Sequence, residues 1–343
     1  MKRTNVIILL VFLTFVFTCI SPYNTVVLYP SRLPLFAYKE NTLCFQKDRL
    51  IYSGNVLHAS PLSARAVEEL NLGGSVQSLA LVFLCYEGIP WASLWRRWLD
   101  AVETDMKIIT YLHSKHTPMG TKAQGESDVK ATRIPTATTK YMYLAGAMQA
   151  CVSFILNSAE GCQIDGCYFV SETCVPISTP TRFLRSLPKG VSVLNFDDDS
   201  FLSASQWMFL SEGFMKYIAL EFENPFPLHG IQVRGKMYQW GSECQEEAIF
   251  SAIARGMQMP VLHRVITHTT FELSAMPDKY QHILNPRHWP TEFVKIDPEM
   301  ITDLHATGYV HFVRKILFNE VNMRTLTRHF DKHFPVRLVS LST

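Results

Sequence analysis

Net charge is nearly absent from this chain: 32 Lys and Arg against 30 Asp and Glu leave +2 over 343 residues. No run of Lys and Arg is long enough to follow a phosphate backbone, so nucleic acid is excluded as an expected partner. There is no GxGxxG, which removes the dinucleotide fingerprint. There is no CxxC either. Among the eight cysteines the spacings Cys162-x4-Cys167 and Cys167-x6-Cys174 lack the paired form of a zinc site, and no His cluster accompanies them, so no structural metal is expected. A disulfide from Cys162 to Cys167 or Cys174 stays open as a local pairing in an oxidising compartment. No Asn-x-Ser/Thr sequon is present, and no internal repeat.

Apolar content of 48% with 18% charged residues is that of a globular protein, and the length suffices for one large or two small cores. The N-terminus departs from this average. Met1-Lys2-Arg3-Thr4 and Asn5 precede the almost purely apolar Val6–Ile20, which Ser21-Pro22 interrupts before Val26–Tyr29. A basic start and an apolar run of this length fit a signal peptide or a signal anchor. Thr18 and Cys19 make only a fair cleavage site, which favours an uncleaved anchor over 1–28. Lys2 and Arg3 would then face the cytosol, with the remainder lumenal in a single-pass type II arrangement, or secreted if the segment is cleaved.

Residues 29–77, with several Pro and Ser, read as a stem and lead-in. From Ser78 the pattern turns α/β. Leu79–Cys85 is a continuous apolar run of strand length, as expected of a strand buried on both faces. Trp91, Leu94, Trp95 and Trp98 follow at helical spacing and read as core. Lys107–Leu112 is a second strand, and the polar stretch 115–136, with Gly120 and Gly125, reads as a mobile loop. A helix is expected over Tyr141–Leu156, and strands over Cys167–Val170 and Val191–Phe196. Helices are expected over Trp207–Leu220 and Glu246–Met257, and strands over Val261–Thr270 and Gly308–Leu317. Alternation of this kind predicts a mostly parallel central sheet.

Four blocks carry the chemistry. Leu79–Asp100 (LALVFLCYEGIPWASLWRRWLD) has the form of a first βα unit, with ligands expected at the carboxyl end of its strand. Tyr168–Ile177 (YFVSETCVPI) runs a buried strand into a polar turn fixed by Pro176. Ser205–Leu210 (SQWMFL) offers Trp207 as an aromatic surface, either for a sugar face or for the core. Gln245–Ile253 (QEEAIFSAI) places Glu246 and Glu247 in the first turn of a helix, where the macrodipole favours carboxylates by about 0.3–1 kcal/mol in any case. The basic run His311–Ile316 (HFVRKI) follows them. One competing feature, Asp197-Asp198-Asp199 after a strand, has the look of an Asp-x-Asp that chelates Mg or Mn through Asp197 and Asp199.

In this fixed order the blocks resemble the core-2/I-branching β-1,6-N-acetylglucosaminyltransferases over roughly residues 78–320. The resemblance implies a GT-A-like α/β fold and an inverting transfer of sugar from a uridine-diphosphate donor to a glycan hydroxyl. N-acetylglucosamine is the foremost sugar, with xylose and glucuronic acid as alternatives. It implies a metal-free site in which a turn of the SExCxP kind, here SETCVP with Glu172, stands where many GT-A enzymes carry Asp-x-Asp. By the same resemblance Glu247 is the general base, with Glu246 as the fallback one residue away. Lys315 neutralises the diphosphate, aided by Arg287 or Arg314. His113 and Ser114 line the uridine pocket, and Trp207 meets acceptor or sugar. The tryptophan-containing segment common in the family before the helix at Tyr141 is missing, and the stretch between Ile177 and Ser205 is short. Two alternatives remain: a metal-dependent transferase using Asp197 and Asp199, and a catalytically silent, glycan-binding relative.

Overall fold

The computed structural model describes residues 43–46, 49–52 and 74–334, save 138, 140–142, 159–162, 197–202, 223–225, 227–229, 240–243, 271–275 and 286–289. The anchor expected over 1–28 lies outside the described residues, as do Cys162, Asp197 to Asp199 and Arg287. Among the described residues no helix is long and apolar enough to cross a membrane.

The fold is α/β around one large, mostly parallel sheet. Its strands are β1 (Leu43–Gln46), β2 (Arg49–Tyr52), β3 (Ser78–Cys85), β4 (Lys107–Ser114), β5 (Thr132–Arg133), β6 (Gly166–Ser171), β8 (Ser192–Leu194), β9 (Phe209–Ser211) and β12 (Val261–His263). Their spatial order is β2-β1-β12-β8-β9-β6-β3-β4-β5. Strands β1, β12 and β8 are mutually parallel, as are β6, β3, β4 and β5. Strand β9 is antiparallel to both neighbours, β6 and β8, so the two parallel sets point the same way. Strand β2 is an antiparallel edge. Two of these strands, β1 and β2, come from the segment expected to be stem and lead-in.

The apolar run of β3 explains its central place. Leu79, Leu81, Phe83 and Cys85 enter one core while Ala80, Val82 and Leu84 enter the other. A strand apolar on both faces is stable only when helices cover both sides. On the first face lie α1 (Ala92–Asp100), α3 (Pro180–Ser186), α7 (Pro298–Ala306) and α8 (Glu320–His333), and on the second α2 (Ala145–Asn157), α4 (Glu212–Glu221) and α5 (Gln245–Met257). Helix starts carry local signals: Thr179, Asp297 and Asn319 each accept a backbone N–H in the first turn of α3, α7 and α8.

The tryptophans are core, as their spacing predicts. Trp95 Nε1 donates to the Cys174 carbonyl at 3.2 Å and Trp98 Nε1 to the Ser178 carbonyl at 2.6 Å. Phe183 and Phe312 pack against the Trp98 ring at centroid distances of 6.0 and 5.8 Å. Trp98→Ala removes a fully buried ring and a hydrogen bond together, and is expected to cost about 3–5 kcal/mol in denaturant unfolding. A loss below about 1 kcal/mol would contradict this packing.

A small second sheet positions the basic run. Strands β7 (Val175–Pro176), β13 (Thr267–Thr269) and β16 (Phe312–Arg314) pair in the order β13-β16-β7, while β10 (Gly230–Val233) with β11 (Lys236–Gln239) and β14 (Leu284–Asn285) with β15 (Glu292–Phe293) form separate antiparallel pairs. The pairing of Val313 with Val175, and an Ile316 N–H to Thr173 carbonyl bond of 3.2 Å, lay Arg314 and Lys315 beside the turn that leaves β6.

Four sequence expectations are corrected. The helix expected from Trp207 begins only at Glu212, because Phe209–Ser211 forms β9. Gly166 permits this pairing, since a Cβ there would collide with the Leu210 carbonyl and the Phe209 ring. The strand expected over Val261–Thr270 is two strands in different sheets, β12 and β13. The stretch 115–136 is tied down: Ala123 and Val129 are buried, and Thr132–Arg133 pairs with β4. Cys167 and Cys174 are both free thiols, packed on opposite sides of the sheet, so neither is disulfide-bonded.

Candidate functional site

Every parallel strand delivers its carboxyl end to the same edge of the large sheet. In open α/β sheets this is where loops leave room for ligands. The register pairs Cys85 with Ser114 and Leu84 with Ser171, so the turns after β3, β4 and β6 start level with one another. Helices α2 and α5 each precede a parallel strand, β6 and β12, so their N-termini open onto this edge. Trp207, just ahead of the antiparallel β9, enters from it as well.

Glu172 lies at the centre of this edge. Burial pushes its carboxyl up, while hydrogen bonds from its own N–H and that of Tyr86, together with the Arg314 and Lys315 charges, act the other way. Arg314 Nε donates to Ser171 Oγ at 3.4 Å, and its guanidinium sits 4.6 Å from the centroid of the Trp207 ring. Trp207 is only 5% exposed. It therefore serves as a platform for Arg314, and the acceptor-stacking role expected of it has no open ring face. Lys315 is half-buried beside the same turn, and its carbonyl accepts from Phe293 N–H at 2.8 Å.

The two acids at the head of α5 have different surroundings. Glu246 is 4% exposed, and its Oε2 accepts the Leu144 N–H at 3.1 Å, at the start of α2. Burial raises its carboxyl above the ordinary range. It acts as a capping group for a neighbouring helix. Glu247 is half-buried on the next helical position, and its carbonyl accepts from Ala204 N–H at 2.9 Å. Ala204 and Trp207 are three positions apart, a reach of roughly 10 Å at most. That short strand of chain links the Glu247 backbone to the ring beneath Arg314.

His113 and Ser114 end β4 at this edge but are buried. Ala137 N–H donates to His113 Nε2 at 3.0 Å, and burial lowers the imidazole pKa, helped by the Arg133 charge. Ser114 Oγ lies 3.3 Å from the Tyr86 carbonyl and 3.1 Å from that of Glu87, and accepts from Thr117 N–H. Ser114 thus shapes the turn after β3, where Tyr86 is more than half exposed with His116 against its ring and Lys115 over it. Neither Tyr86 nor Arg133 is singled out by sequence reasoning. Arg133 was hidden inside an apparently loose polar segment.

The structure thus brings Glu172, Arg314, Lys315, Trp207, His113, Ser114, Glu246 and Glu247 to one edge. Among the described residues no three His, Cys, Asp or Glu side chains converge in a way that could hold a metal ion, and Asp197 and Asp199 fall outside them. Compared with known proteins, the chain matches no family model and no curated protein.

Proposed function

We propose that this chain is an inverting glycosyltransferase of GT-A-like architecture, moving a sugar such as N-acetylglucosamine from a uridine-diphosphate donor to a glycan hydroxyl. The observation that carries the reading is the convergence, on one carboxyl edge, of a half-buried carboxylate at a helix start with the cation pair Arg314 and Lys315. In the proposed reaction Glu247 takes the proton of the acceptor hydroxyl as its oxygen bonds to the anomeric carbon. The bond from that carbon to the diphosphate breaks on the opposite side, inverting the centre. The electron pair leaves with the diphosphate, whose charge Lys315 and Arg314 offset in place of a metal. Glu246, engaged with Leu144, is the less suited of the two acids. The reading includes a type II lumenal setting behind the 1–28 segment.

The test is a panel of uridine-diphosphate sugars offered to the purified chain with a chelator present. Transfer under chelation supports the reading, and activity abolished by the chelator points to Asp197 and Asp199. Absence of donor binding and of turnover across the panel would leave the silent relative. Lys315→Ala is expected to weaken donor binding roughly ten- to a hundredfold, the scale of one hydrogen bond to a charged group. Unchanged donor affinity in titration calorimetry would remove Lys315 from the site.

A further inference from the structure

Among the described residues Arg133 is the cation whose hydrogen-bonding groups are least accounted for. It ends β5, where it pairs with Leu112 of β4. Its side chain is 9% exposed, and Nη2 is engaged by Glu126 Oε2. The Nε and Nη1 groups are sealed from solvent with no acceptor among the described residues. A guanidinium cannot shed its proton at any ordinary pH, so it cannot escape burial by becoming neutral. A buried donor without an acceptor carries the full penalty of its lost hydration. Buried polar groups of this kind call for a specific partner.

The setting points to what that partner is. Arg133 lies on the same edge as the site described above: its charge reaches both the Cys85 thiol at the end of β3 and the His113 ring at the end of β4. The Glu172 charge also reaches Cys85, and β3 and β4 lie between β6 and β5 in the sheet, so Arg133 stands on the side of this edge away from Glu172, Arg314 and Lys315. Among the described residues Glu126 is the carboxylate paired with Arg133, and it belongs to the segment that covers it. Its Oε2 also accepts Ala123 N–H at 2.8 Å, and Gly88, where a Cβ would strike Gln124, lets this segment close onto the turn after β3.

We propose that Arg133 is an oxyanion-binding residue of this edge, that its free N–H groups receive a phosphate oxygen of the donor diphosphate, and that Glu126 is the internal anion this ligand displaces. The identification of the oxyanion as a diphosphate rests on the functional reading above; the anion site itself rests on Arg133 alone. The covering segment 115–131 must shift for the ligand to enter, and the Glu126 pair is the contact that shift would break.

Titration calorimetry on the full chain with UDP, uridine and inorganic pyrophosphate tests this. Arg133→Gln is expected to weaken UDP and pyrophosphate binding roughly ten- to a hundredfold, with uridine unaffected. Arg133→Lys is expected to recover part of the loss. Because Arg133→Gln could loosen the segment without touching a ligand, Glu126→Gln supplies the opposing case. It removes the competing anion and keeps the cation, so it is expected to tighten pyrophosphate binding severalfold. A purely structural pair would instead give weaker binding in both variants, and that result overturns the proposal. If the unaltered chain binds pyrophosphate in an Arg133-dependent manner but shows no preference for UDP, the anion site stands and the nucleotide-sugar reading falls. If UDP binds equally well to the unaltered chain and Arg133→Gln, the nucleotide reading stands and Arg133 is excluded. If neither UDP nor pyrophosphate binds the unaltered chain, the oxyanion site is overturned as well.

Discussion

Glu247→Gln is expected to lower the transfer rate by roughly 10²–10⁴, the range associated with loss of a positioned general base. Donor affinity should stay within about twofold of the unaltered protein, because the amide is nearly isosteric and the base acts on the acceptor. Two contacts argue that the fold will tolerate the change. The Ala204 N–H and the Ser251 hydroxyl both bond the Glu247 carbonyl, which the substitution leaves in place. The informative comparison is with Glu246→Gln. That residue is buried against the start of α2, so its loss should lower stability and reduce the rate only through the folded fraction. Transfer that persists unchanged in Glu247→Gln, with Glu246→Gln inactive yet fully folded, would exchange the two roles. Retained transfer in both would remove general-base catalysis from the head of α5.

How much of this was legible beforehand depends on how local the signal is. The strand β3 and helix α1 are written in short-range pattern: seven apolar residues in a row, then tryptophans three and four apart. No long-range partner is needed to read them. Trp207-Met208-Phe209-Leu210 is a continuous apolar run too, but a buried strand and a buried helix look alike at that length. The decision is made by β6 and β8 closing on either side, and by the bare Gly166 opposite. The same limit applies to the acid pair. Sequence places Glu246 and Glu247 in one turn, yet which of them turns inward is set by Leu144, 102 residues earlier. Arg133 gave no signal at all. Its significance comes from being covered by its own neighbours, a property that composition, read as polar and Gly-containing, points away from.

Stability is expected to fall as pH drops from about 6.5 to about 4, most steeply below about 4.5, because several histidines are held neutral inside the fold. His311 is 1% exposed and its imidazole is lowered to about 3, first by burial and then by the charges of Arg182, Arg264 and His305. Its Nδ1 meets the Ser178 hydroxyl. His329 is lowered to about 4 by burial, with His333, His305 and Lys332 adding repulsion, against a bond from its Nε2 to the Ile177 carbonyl. His268 is likewise lowered to about 4 by burial. An unfolded histidine takes its proton near pH 6.5, so between that value and the folded one the unfolded chain binds the extra proton. Each such group then removes about 1.4 kcal/mol of stability per pH unit on acidification. Glu172 and Glu246 oppose this above about pH 4.5, since their raised carboxyls bind protons earlier in the folded state. Below that, the unfolded carboxyls protonate too and the opposition ends, while the histidines continue to titrate. Asp165 and Glu126, whose carboxyls are lowered by their Lys189 and Arg133 partners against the pull of burial, add to the loss there. With a total of about 5–15 kcal/mol for a typical domain, the folded state should be lost near pH 4. Denaturant midpoints measured from pH 7.5 to 4 provide the check. His329→Gln should flatten the acid limb by about one proton's slope, and an unaltered chain equally stable at pH 7 and pH 4 would contradict the burial of these rings.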